Sequence, residues 1–389
     1  MKDNRRGFIK KSATLAAALS VAGIGAYDCT GNNKSEVKNS GLIDNKKVVK
    51  WPLSEGPNTP KLIMSASGNS DDKAIRRIKQ LGINYVNSGY GGPGPWEVNK
   101  LKETINYLKD KGLTVLNMMH PVGINTILGR EGRDAEIELF QKSLKAAGEA
   151  GLPNVEYNWY VDRLVEGYEE IEGRGGSGIT QYDYSKVKDI PAKPEIGIHK
   201  AEEIWENITY FLKAVIPVAE KAGVRMALHP NDPVAQIAHG SDQIMANLNG
   251  WKRLITIVDS PSNGITFDPG VTQEMGEDPV EVCRYFASRD RINHMHFRNV
   301  ISLTRYDKYQ EVFIDEGQVN LFAVMQEVMK HGYNRALMPE HPHILDFDRE
   351  QPGRPISGGV AGGGGGGGYA ANVFNIAFTR ALMWAAISS

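Results

Sequence analysis

Near its C-terminus the chain reads RALMPEHPHILDFD, residues 335–348. A short apolar run ends at Pro339, and Glu340, His341 and His343 then arrive together. A carboxylate beside imidazoles suits divalent-metal binding or proton transfer near neutral pH. Taken alone, it is equally a surface turn.

Three earlier apolar runs finish in the same manner, at His229 in MALHPND, Asp268 in ITFDPG and His296 in HMHFRN. With Glu340 they make two imidazoles and two carboxylates at the tips of the last four strands of the chain. Such a nitrogen and oxygen set suits Mn²⁺, Mg²⁺, Fe²⁺ or Zn²⁺ and lacks the thiolates of a structural zinc site. Singly these residues say little, since a strand-end His is commonly structural and an Asp before Pro-Gly is a turn former. Four in register on four consecutive strands argue for a metal site. His294 lies two residues before His296 on the same strand face and competes for that ligand place; His296 is preferred because it is nearer the tip.

His341, directly after Glu340, is the candidate general acid or base. Further strand-end candidates for holding substrate are His120 in MMHPVG, Asn158 and Trp159 in EYNWY, and Asn231 and Asp232 after His229. Arg130 and Arg133 in LGREGRD would grip a carboxylate bidentately, or are surface charges at a helix start.

These tips need a scaffold that aims them at one point. From Lys61 onward, short apolar runs alternate with stretches of helical spacing. The runs are KLIMSAS, INYVNSG, LTVLNMMHP, NVEYNWY, VRMALHP, NGITFDPG, INHMHFRNV and RALMPEHPH, each followed by a helical stretch. Eight such units, with strands apolar enough to be buried on both faces, predict an α/β fold, the parallel (β/α)8 TIM barrel. No G-x-G-x-x-G follows the first run, which argues against a doubly wound dinucleotide-binding sheet. Two long excursions, residues 160–198 and residues 344–368 with a glycine run, follow the fourth and eighth strands and therefore fall at the ligand-binding mouth.

The bulk numbers fit a small-molecule enzyme. The 389 residues carry 45 basic and 46 acidic side chains, without the basic stripe of a nucleic-acid binder. Two cysteines, Cys29 and Cys283, form no disulfide framework. Residues 1–29 open with Arg5–Arg6 and Phe8, followed by an apolar run from Ala13 to Ala26, the layout of a twin-arginine-type export signal. That layout implies a periplasmic protein with no membrane span in its mature form. Lipid attachment at Cys29 is disfavoured by Tyr27 and Asp28. Residues 30–58 read as a polar linker and residues 59–389 as a single barrel domain.

The stretches LGREGRDAEIE, AGLPNVEYNW, GVRMALHPNDP, VDSPSNGITF, HMHFRNV and MPEHPH, in that order, resemble mannonate dehydratase. The resemblance implies a hydro-lyase on an xylose isomerase-like barrel that converts D-mannonate to 2-keto-3-deoxy-D-gluconate, a step of glucuronate catabolism. It also implies a divalent metal, Mn²⁺ first with Mg²⁺ or Fe²⁺ as alternatives, held by His229, Asp268, His296 and Glu340, with His341 catalytic. The family has Cys where this chain has Asp268 and Asp where it has Glu340. Its second acid–base residue is a tyrosine of the last loop, for which Tyr369 is the candidate. The ligand types also match sugar isomerases and epimerases similar to xylose isomerase, and a non-catalytic periplasmic sugar-binding protein is the third reading. The expected partner is a small sugar acid or sugar, in a chain compatible with a homo-oligomer.

Overall fold

Buried Leu62 and Ile63 begin the pattern that the whole barrel repeats, in which both strand faces are apolar and neither is solvated. The computed structural model describes residues 53–90, 94–351 and 366–389. The export segment, Cys29, most of the linker and most of the glycine run lie outside the described residues.

The chain forms β1 (Lys61–Ser65), β2 (Tyr85–Tyr90), β3 (Thr114–Met119) and β4 (Asn154–Tyr157). The excursion after β4 contributes β5 (Tyr168–Glu172) and β6 (Gly178–Asp183). Next come β7 (Arg225–Leu228) and a small hairpin of β8 (Ile237–Ala238) and β9 (Ser241–Asp242). The remainder is β10 (Asn263–Phe267), β11 (Ile292–Phe297), the hairpin β12 (Asn299–Thr304) and β13 (Lys308–Val312), and β14 (Ala336–Pro339). Eight of these strands close into a barrel in the order β1-β14-β11-β10-β7-β4-β3-β2. They are the eight apolar runs read from the sequence, and the fold is the (β/α)8 barrel.

Local chemistry sets where the outer helices start. Asp71 caps Asp72–Gln80 by accepting the Ala74 N–H, and Asp278 caps Pro279–Ala287, where Pro279 occupies the first helical position. One helix begins only at Leu248. Asn247 supplies the cap by accepting the Gly250 N–H, and Asp242 is already paired in the β8–β9 hairpin. The C-terminal helix, Tyr369–Ser388, is long and apolar enough to cross a bilayer by length and composition. It nevertheless serves as the eighth barrel helix, packing on β14 and on Leu321–Lys330.

One layer has no counterpart in the sequence reading. The sheet β12-β13-β6-β5 joins the excursion after β4 to the hairpin after β11, through antiparallel pairing of β6 with β13. Its strands escape an aliphatic search because they pack tyrosines: Tyr182 stacks on Tyr309 at 5.4 Å and tilts against Tyr168 at 5.0 Å.

Candidate metal and proton-transfer site

The barrel brings the four tip residues together. His229, Asp268 and Glu340 each directly follow their strands, and His296 is the penultimate residue of β11. Ligand atoms of Asp268, His296 and Glu340 lie within 4.8 Å of one another, all three residues buried. The His229 ring packs edge-on against His296 with centroids 4.9 Å apart, its Nδ1 occupied by the Pro230 carbonyl. Asp268 also caps the short helix Pro269–Glu274, taking the Val271 N–H on Oδ1 at 3.0 Å. The turn-former reading and the ligand reading therefore describe the same side chain.

The cluster is built to hold a cation. Five buried carboxyl groups, Asp232, Asp268, Glu274, Glu311 and Glu340, surround one guanidinium. Arg298 donates to Asp268 at 2.8 Å, to Glu274 at 2.8 Å and to Asp232 at 3.3 Å. Burial pushes the Glu274 carboxyl above its usual range, against the pull of Arg298. Burial opposes ionisation of Glu340 too, but His296 and His341 outweigh it and hold that carboxyl well below its usual range. Reciprocally, Glu340 and Glu156 overcome the burial of His296 and push its ring up to about 9. The two imidazolium protons thus stand where positive charge is needed. Nδ1 of His296 and Oε1 of Glu340 form an ion pair at 2.9 Å, and among the described residues neither atom has a hydrogen-bond partner of good geometry, so a divalent cation would satisfy both.

His294 stands in a second group with Glu156 and His296, whose ligand atoms also lie within 4.8 Å of one another. Among the described residues both its nitrogens are buried without hydrogen-bond partners, and burial lowers its pKa to about 4. It lies deeper, 4.0 Å from Glu156. That carboxylate is itself held by Thr266 at 2.8 Å and Asn117 at 3.0 Å.

His341 sits beside the ligands, its Nε2 3.6 Å from Glu340 and its Nδ1 2.9 Å from Glu311. Burial works against its charged form, but Glu311 and Glu340 prevail and push it up to about 9. Asp232 belongs here as well, bound by Arg298, by the Tyr309 hydroxyl at 3.0 Å and by the Tyr168 hydroxyl.

Other candidates are placed elsewhere. His120 is a core residue: Nδ1 meets the Pro121 carbonyl at 2.7 Å, Nε2 meets Ser143 at 2.9 Å, and the ring packs between Trp96 and Phe140. Trp159 turns outward onto Phe211 of helix Ala201–Ala222, at 5.3 Å. Arg130 is exposed and donates to the Ile196 carbonyl at 2.6 Å, so it clamps a loop instead of a ligand. Arg133 covers the Tyr210 ring on the surface. Asn158 remains at the mouth, with Nδ2 on Met119 sulfur and a buried Oδ1 lacking a partner. The Tyr369 hydroxyl is engaged with the Arg77 carbonyl at a helix end, away from the cluster.

Residues the sequence reading passed over are Arg298, Glu156, Glu274, Glu311, Tyr168 and Tyr309. Arg298 had a signal, since it stands two positions after His296 on the same face. Glu311 and the two tyrosines had none, because they reach the site only through the extra sheet.

A parallel barrel with a cation-seeking cluster and an adjacent histidine at its C-terminal mouth defines a metal-assisted barrel enzyme. A D-mannonate dehydratase family model matches residues 196–365. The mannonate dehydratase of Thermotoga maritima is 30% identical over 66% of this chain and 80% of its own length. Mannonate dehydratase 2 of Halalkalibacterium halodurans is 28% identical over 75% and 93%. The crystal structure of mannonate dehydratase from Streptococcus suis superposes with a TM-score of 0.73 at 26% identity, covering 84% of this chain and 95% of that one. An L-ribulose 3-epimerase superposes at 0.52 with 12% identity, a likeness of fold alone. The chain belongs to the mannonate dehydratase family and is a hydro-lyase.

Proposed function

We propose that the protein removes water from D-mannonate, giving 2-keto-3-deoxy-D-gluconate, with Mn²⁺ as its working metal. The observation that carries this is the convergence of His229, Asp268, His296 and Glu340 beside His341, in a chain of that family. These four side chains would hold the cation, and their oxygens and nitrogens favour Mn²⁺ over thiophilic metals. When bound, the cation would stabilise negative charge building on the carboxylate side of the sugar acid.

The protein's own groups supply the rest. His341 takes part in proton transfer, its Nε2 facing the ligand cluster. Arg298 keeps Asp232 ionised and holds the Asp268 side chain in place. Asn158 offers its free carbonyl oxygen to a substrate hydroxyl.

We further propose that the enzyme acts in uronate breakdown and, on the strength of Arg5–Arg6 and the Ala13–Ala26 run, in the periplasm. Sugar acids are usually degraded inside cells, so an acid derived from an oligosaccharide is a natural variant of the substrate. Pure protein loaded with Mn²⁺ is to be incubated with D-mannonate and other aldonic acids while 2-keto-3-deoxy acid is followed. Its formation from mannonate is expected. Epimerised acid without any keto product would transfer the chain to the epimerase reading.

A further inference from the structure

We propose that Glu311, delivered by the β12–β13 hairpin, is a positioning residue that fixes the tautomer of His341; this rests on the reading of His341 as a proton-transfer group. Glu311 is 1% exposed. Among the described residues its side chain makes one hydrogen bond, Oε2 to His341 Nδ1 at 2.9 Å, while Oε1 is buried without a partner. The nearest charge to Oε1 is the Arg298 guanidinium, 3.8 Å away. A desolvated carboxylate serving a single donor is a poor structural device, because burying it costs several kcal/mol that one bond does not return. It is a good device for setting which imidazole nitrogen carries the proton.

The backbone supports the same conclusion. His341 adopts φ 47°, left-handed for a residue with a side chain. Such a conformation persists only where the surroundings hold it, and it lets His341 turn to Glu311 while Glu340 beside it turns to His296. Nδ1–H donates to Glu311, so in the neutral ring the lone pair falls on Nε2, on the cluster side. In the proton-transfer step a substrate C–H bond breaks toward Nε2 and its electron pair stays on the substrate. Glu311 takes no proton; it steadies the imidazolium that forms. The sheet β12-β13-β6-β5 therefore completes the site.

Glu311→Gln, nearly isosteric, is expected to lower kcat on D-mannonate about 10- to 100-fold, with KM and bound metal little changed. Made in a His341→Gln background, it is expected to cost nothing more, since the two act as a unit. Glu311→Asp keeps the buried charge but withdraws it from Nδ1, so kcat stays low there as well. Wild-type kcat in either variant, or an equal additional loss in the His341→Gln background, overturns the proposal. Ring ¹⁵N shifts of His341 in Mg²⁺-loaded protein test the pair without any substrate. They are expected to report Nδ1–H in the wild type and loss of that preference in Glu311→Ala, and an unchanged tautomer overturns the assignment. Absence of mannonate turnover by the wild type sinks only the proposed reaction.

Discussion

Arg298 Nε lies 2.8 Å from Asp268 Oδ2, linking the residue that ends one barrel strand to the residue that joins β11 to β12. The arginine gives that carboxylate a fixed partner in a dry setting, and from the same position it reaches Glu274 and Asp232.

Replacing Arg298 with methionine should therefore destabilise the fold by roughly 3–5 kcal/mol, because buried carboxylates lose their counter-charge. Lysine should recover little, since one ammonium cannot fork to three acceptors. Urea denaturation of the metal-free variants checks both, and a lysine variant as stable as wild type would remove the fork from the account.

Asp268→Cys should shift metal preference toward Zn²⁺ by introducing a soft ligand. It also removes the helix cap on Val271, costing about 1 kcal/mol of stability. Metal content after dialysis against equal Mn²⁺ and Zn²⁺ provides the readout. Unchanged metal ratios would mean that Asp268 lies outside the coordination sphere.

His341→Gln should cut kcat by about 10²–10⁴ while the bound metal stays in place. Paired turnover and elemental analysis decide this, and loss of metal together with activity would recast His341 as a ligand.

The pH response of metal-free protein follows from two raised imidazoles. His296 and His341 are both pushed up to about 9, against about 6.5 in the unfolded chain. A raised folded value gives stability that is complete below about 6.5 and is lost as pH climbs through about 9. Thermal midpoints should accordingly fall across that interval, less steeply in His341→Gln. Cation affinity should rise over the same range, because His296 must shed its proton to ligate. A wild-type midpoint flat from pH 6.5 to 9.5 contradicts the assignment.

His120 should behave as core. His120→Ala is expected to cost roughly 3 kcal/mol through the cavity and the lost bonds to Ser143 and Pro121, with KM for the sugar acid unaltered. A large rise in KM without loss of stability would return it to the mouth.

How much of this was legible in the sequence differs by layer. Barrel strands announce themselves because strands buried on both faces must be continuously apolar, and polar residues at their tips stand out as candidates because they end at the mouth. His120 and Trp159 sit at equivalent tips and misled for a physical reason. Polar atoms at a strand end can be satisfied locally, as Ser143 does for His120, and a spacing pattern does not reveal which way the ring turns. Glu311 was invisible because its partner is 30 residues away and the strand that carries it is polar.

The pairing of β6 with β13 has a bearing on how this scaffold can be re-engineered. Two insertions from different loops share one set of backbone bonds, so grafting either one onto a related barrel would leave an open edge and a missing lower surface. Exchange between family members should succeed only when both segments move together.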